Sequence, residues 1–187
     1  MKEKLRRHIE ENISLSDEES RLIASYFSFE EYKKKDLLIR QGEYVQDCYF
    51  IVSGLLKLIY QDESGKEHIV SFAMENWWES DFSAYFTKSK AKMSLQCLED
   101  TKVYALSLEN YQKLIAKMPK MAYFFLEKSN SGNTAAQNRI ISLLTLDAQE
   151  KYQQLFEQNP SLFQRVPKRL LASYLGVSRE TLSRLQH

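Results

Sequence analysis

The chain has 187 residues, room for one sizeable core and a small second module, and 43% of them are apolar, as in an ordinary globular protein. Basic and acidic residues nearly cancel, 26 against 25, so the body as a whole is no polyanion-binding surface. No run approaches the roughly twenty apolar residues of a bilayer span, and the charged start MKEKLRRHIEENISLSDEES lacks a signal-peptide core, so a cytoplasmic protein without a membrane partner is expected.

In chain order, Leu15 to Tyr26 has helical patterning, with Ser16 capping an acidic first turn of Asp17, Glu18 and Glu19. From Asp36 to about Leu106, short β-rich runs alternate with turns: LLIR, the turn around Gly42, CYFIV, Gly54, LLKLIYQ, the loop around Gly65, and HIVSFA. A further pair, SLQCLED and KVYALS, closes the series, and strands of this length in succession predict a sandwich or barrel. Cys48 and Cys97 have no Cys or His at ligand spacing and are expected to pack as small hydrophobes. His8, His68 and His187 lie in unrelated segments. No phosphate-cradling glycine loop, HExxH pair or nucleophile in a catalytic setting occurs. No catalytic residue, metal or cofactor is therefore expected, and the chain is not read as an enzyme.

Helical patterning then returns. Leu108 to Lys117 forms a short helix, Pro119 restarts the chain, and helical spacing continues to about Leu146. Within it Ala122, Phe125, Ser129, Gly132, Ala136, Ile140 and Leu143 recur at three- and four-residue steps, a seam suited to a second copy of itself. Gly132 costs about 1 kcal/mol in a helix interior, so a break at Ser129 to Asn133 competes with one continuous helix. Asp147 to Glu157 is a further amphipathic helix, ended by Asn159 and Pro160.

The last segment, PKRLLASYLGVSRETLSRLQH, carries the strongest functional pattern. Pro167 suits a helix start, and Leu170, Leu171, Tyr174 and Leu175 share an apolar face with small Ala172 among them. Gly176 provides a turn and Ser178 a cap for a second helix, in which Leu182 and Leu185 face inward. Arg179, Glu180, Ser183 and Arg184 then share the opposite face. Arginine donates two hydrogen bonds to guanine and a carboxylate accepts from cytosine, so Arg179, Glu180 and Arg184 form a base-reading set, with Lys168, Arg169 and Ser178 placed for phosphates. From Arg165 onward five basic residues face one acid, a concentrated positive end on a near-neutral body. An amphipathic hairpin whose charges merely face water is the alternative.

The stretches LIRQGEYVQDCYFIVSGLLKLIYQDESGKEHIVSFA and GVSRETLSRL, on either side of a long helix, resemble the CRP/FNR family of bacterial regulators, from about Leu15 onward. The resemblance implies an α+β chain: a cyclic-nucleotide-binding-type β-roll (jelly roll) with flanking helices over 1–118, a dimerisation helix over 119–146 and a helix-turn-helix domain over 147–187. It favours the continuous helix through Gly132. It also implies a homodimer on double-stranded DNA at an inverted repeat related to TGTGA, with RNA polymerase as a further partner. Members that bind cyclic AMP have a Gly-Glu pair for the ribose and an Arg-Ser pair for the phosphate. Here Ser80 and Asp81 stand at the first pair, and Ala91 and Lys92 near the second. Asp81 keeps an acid for the ribose, whereas the phosphate clamp is lost, so the expected effector, if one is used, is not cyclic AMP. Ala136 and Gln137 replace the Thr-Ser pair that touches the base, and Trp77, Trp78, Phe82, Tyr85 and Phe86 line another pocket or fill a core. Many members add a β-hairpin wing after the recognition helix, so a short or truncated head is expected here. A sensor acting on a protein partner without DNA binding is the second reading.

Overall fold

The computed structural model describes residues 2–185, so His187 lies outside the described residues. It divides into two compact units, one running to Lys128 and the other starting at Ser129, so the division falls inside the long helix.

The first unit opens with α1 (Lys2–Glu10), a helix not among the expected elements, and α2 (Asp17–Ser25). Ser16 caps α2 reciprocally: its Oγ accepts the Glu19 N–H at 3.2 Å and the Glu19 carboxylate accepts the Ser16 N–H at 2.8 Å. The strands are β1 (Ser28–Tyr32), β2 (Leu37–Ile39), β3 (Asp47–Ser53), β4 (Leu56–Gln61), β5 (Glu67–Ala73), β6 (Trp78–Glu79), β7 (Ser94–Cys97) and β8 (Thr101–Ser107), with a short helix, α3 (Phe82–Thr87), between β6 and β7. They form two four-stranded antiparallel sheets, in the orders β1-β8-β3-β6 and β2-β7-β4-β5, which is the expected jelly roll.

β3 shows why the CYFIV run is apolar throughout. Successive side chains of a strand point to opposite faces. Tyr49 and Ile51 join Leu56, Leu95, Val103 and Ala105 inside the roll, while Phe50 and Val52 pack outward against Leu5, Ile9, Ile23, Leu114, Met121 and Phe124 of the helices. His8 belongs to the outer layer: its ring stacks on Phe50 at 4.9 Å, and its Nε2 accepts the Trp78 indole N–H at 3.1 Å. That bond pins α1 to β6. Both cysteines are buried free thiols, as expected.

α4 (Leu108–Lys117), capped by Ser107, leads to α5 (Lys120–Thr145), which is continuous through Gly132. Its first turns bury Met121 and Phe124, whereas every residue from Ser129 to Asn138 is exposed. The second unit continues with α6 (Ala148–Gln158), α7 (Pro160–Arg165), α8 (Lys168–Leu175) and α9 (Arg179–Leu185). Pro160 does end α6 but also opens α7 at its first position, where a missing N–H is harmless. Among the described residues, Leu155, Leu162, Leu170, Leu171, Ala172, Leu175 and Leu182 are the buried apolar residues of these helices, with Val166 buried between α7 and α8. Among the described residues no helix is long and apolar enough to cross a membrane.

Gly54 has φ +111°, and a Cβ there would meet Thr101 Oγ1, with the Thr101 Cα at 2.8 Å and the Asp100 carbonyl at 2.9 Å. Gly54→Ala should therefore lose about 2 kcal/mol or more in urea unfolding; a loss below about 0.5 kcal/mol would contradict this packing. Glu79 is buried, with its carboxylate accepting from the Ser71 hydroxyl at 2.6 Å and the Ser80 N–H at 3.1 Å, and burial pushes its pKa up to about 7. A carboxyl raised in the folded state binds more protons than the unfolded chain, so its stabilising contribution is complete below the ordinary 4.5 and is lost as pH rises through about 7. Denaturation at pH 5 and pH 8 should show this decline in the wild type, and Glu79→Gln should flatten it; an unchanged slope would refute the assignment.

Candidate functional site

The second unit presents the exposed polar surface. Pro167 stands at the cap of α8, one position before the helix proper, and its carbonyl accepts the N–H groups of Leu170 and Leu171. α8 closes on Gly176, at φ 68°, where the Val177 N–H reaches back to the Ala172 carbonyl at 3.0 Å. Only two residues separate that glycine from α9. Ser178 then caps α9, its Oγ accepting the Thr181 N–H at 3.0 Å, while its carbonyl accepts the Leu182 N–H at 3.0 Å.

Leu182 is wholly buried, which fixes the rotation of α9 about its axis. Arg179, Glu180, Ser183 and Arg184 are all exposed, as are Lys168 and Arg169 at the start of α8 and Ser178 at the turn. Glu180 sits in the first turn, and hydrogen bonding to its own backbone N–H and to the Ser178 hydroxyl, reinforced by Arg179 and Arg184, holds its carboxyl below the usual range. The face therefore carries a guanidinium, a carboxylate and a second guanidinium, all charged at neutral pH.

The four positions expected for an effector lie in the first unit, and only one has an exposed side chain. Ser80 is buried and its hydroxyl donates to the Asp47 carbonyl at 3.0 Å. Asp81 is wholly buried: Oδ1 accepts the Ala84 N–H at 3.2 Å, and Oδ2 accepts the N–H groups of Lys92 at 2.8 Å and Met93 at 3.2 Å. Its carboxylate thus ties the first turn of α3 to the segment entering β7. Ala91 is buried and exchanges backbone hydrogen bonds with Gly42 and Glu43. The Lys92 side chain is exposed.

The aromatic group does not converge on one pocket. Tyr85 enters the roll and donates its hydroxyl to the Leu106 carbonyl at 3.1 Å, while Trp78 packs on the helix side against Phe50, Phe124 and Phe125. Phe82 and Phe86 stack on each other at the surface, and Trp77 is exposed. Two features have no local sequence signature. The buried Glu79 gave no signal because an acid beside Trp78 looks like any turn residue, and Arg139 gave none because its partner, Tyr174, was counted as apolar surface.

Residues 29–118 match the model of the family described as "Cyclic nucleotide-binding domain". The chain is 26% identical over 185 residues to the "Cyclic AMP receptor protein" of Thermus thermophilus, an alignment covering 92% of this chain and 82% of that protein. It is 28% identical over 167 residues to the "Anaerobic regulatory protein" of Haemophilus influenzae, covering 82% and 63% of the two chains. Among solved structures, the c-di-GMP responsive regulator CLP of Xanthomonas campestris superposes with a TM-score of 0.71 at 16% identity, covering 88% of this chain and 86% of that one. A roll, a long helix and a two-helix head in this order, with regulators among its relatives, make the chain similar to the regulators of the CRP/FNR family.

Proposed function

We propose that the protein is a sequence-specific DNA-binding transcription regulator that acts in the cytoplasm as a homodimer on an inverted-repeat site. The observation that carries this reading is α9 itself: one buried leucine, a capped first turn, and Arg179, Glu180 and Arg184 exposed together. A helix presented in this way fits a major groove, where guanidinium and carboxylate groups distinguish base pairs. Lys168, Arg169 and Ser178 are assigned to phosphates, and Ser183 to the same groove face.

The homodimer reading draws on α5. Ile140, Ile141 and Leu144 are 56%, 56% and 79% exposed, and the small residues Ser129, Gly132 and Ala136 leave room for a close second helix. RNA polymerase is the natural further partner of such a regulator. An effector other than cyclic AMP remains compatible with the roll, on one condition. An anion entering at Ser80, Asp81, Ala91 and Lys92 must displace the Asp81 carboxylate from the Lys92 and Met93 amides. Charge repulsion and two lost charge-assisted bonds oppose that exchange. We therefore read the roll as held in one state by its own side chains, with DNA binding that does not require cyclic AMP.

Fluorescence-anisotropy titrations with a bound and a scrambled duplex test this reading. Arg179→Ala and Glu180→Ala should each weaken specific binding by about 1–3 kcal/mol and relax the base preference. Lys168→Ala should weaken both duplexes alike and reduce the salt slope by about 0.9 logarithmic unit. Equal losses on both duplexes for Arg179→Ala would overturn the base-reading role. Adding cyclic AMP should leave the affinity of the wild type unchanged, and a cyclic-AMP-dependent gain would overturn the self-held roll.

A further inference from the structure

We propose that Arg139 and Leu143, on one face of α5, set the orientation of the recognition helix and thereby the half-site spacing that the homodimer accepts. This rests on the DNA-binding reading above and adds a positioning role to residues that touch no base. The Arg139 guanidinium carbon lies 3.5 Å from the centroid of the Tyr174 ring, and a guanidinium N–H donates to the Tyr174 carbonyl at 3.0 Å. One turn further along α5, Leu143 Cδ2 lies 3.6 Å from the point that a Cβ on Gly176 would occupy. Residues four apart share a helix face, so both contacts belong to one grip.

The grip falls at a mechanically decisive place. Tyr174 is the penultimate residue of α8, where helix carbonyls lack intrahelical donors and a cation complements the dipole. Gly176 is the left-handed turn residue, and α9 begins at Arg179. A planar guanidinium that stacks on a ring and also bonds the adjoining carbonyl fixes both distance and angle, which a flexible apolar contact does not. Arg139 is itself half-buried and burial depresses its pKa, so its charge is held by these partners rather than by water. In a homodimer joined through α5, two recognition helices must meet successive major grooves about 34 Å apart. A grip between α5 and the α8–α9 turn is then what converts helix pairing into a fixed spacing.

The test uses the full-length homodimer and duplexes bearing two half-sites whose separation is changed by one or two base pairs, with a single half-site duplex as control. The wild type should prefer one spacing. Arg139→Gln and Tyr174→Leu should flatten that preference by about three- to thirtyfold, the range of a partly desolvated cation–π contact. Their ranking of base substitutions within one half-site should stay that of the wild type, and Tyr174→Phe, which keeps ring and carbonyl, should behave as wild type throughout. Two differently placed variants guard against one of them failing to fold. An unchanged spacing preference in both would overturn this inference and leave the DNA-binding reading intact. Loss of half-site base ranking in both would overturn it too, because Arg139 would then merely hold the head together. A wild type with no site-selective binding would overturn the DNA-binding reading and this inference with it.

Discussion

The direction of α9 depends on a connection of three residues. Gly176 takes a backbone conformation that other residues adopt at a cost, Val177 closes the end of α8, and Ser178 caps the next helix. Burial of Leu182 then removes the remaining freedom, rotation about the axis of α9. With direction and rotation both fixed, the position of every exposed side chain on that helix is determined. Arg139 and Leu143 contact the end of α8 and the same turn from α5.

The two units use polar residues in opposite ways. In the roll, Ser80, Asp81, Glu79 and the Tyr85 hydroxyl are buried and bonded within the chain, and Asp81 holds three backbone N–H groups. Polar groups arranged in this way stabilise one conformation, because each would lose its partners on moving. On α9 the charged groups are exposed on a face whose interior is a single leucine. The roll keeps these polar groups inside, whereas α9 presents its charged groups outward.

Much of this was legible in the sequence, for identifiable reasons. Glycines at Gly42, Gly54, Gly65 and Gly176 all have positive φ, so they punctuated the chain correctly. The CYFIV run became β3, and the GVSRETLSRL segment became a turn, a cap and a helix. Elements lacking such signals were missed. α1 is highly charged and is ordered by tertiary contacts at Leu5, His8 and Ile9; β1 and β6 are short and gain their identity from pairing with β8 and β3. α3 was read as an aromatic stretch because its cap, Asp81, looked like a ligand residue rather than a helix start. The Arg139–Tyr174 stack joins residues 35 apart in the chain, and no local pattern encodes it.

Selection of bound sites from random duplex DNA, without added nucleotide, tests the central claim most directly. A two-fold symmetric consensus, whose half-sites are read by Arg179, Glu180 and Arg184, is the predicted result. Recovery of sequences with no shared motif, or of a motif that appears only when cyclic AMP is supplied, would contradict the account.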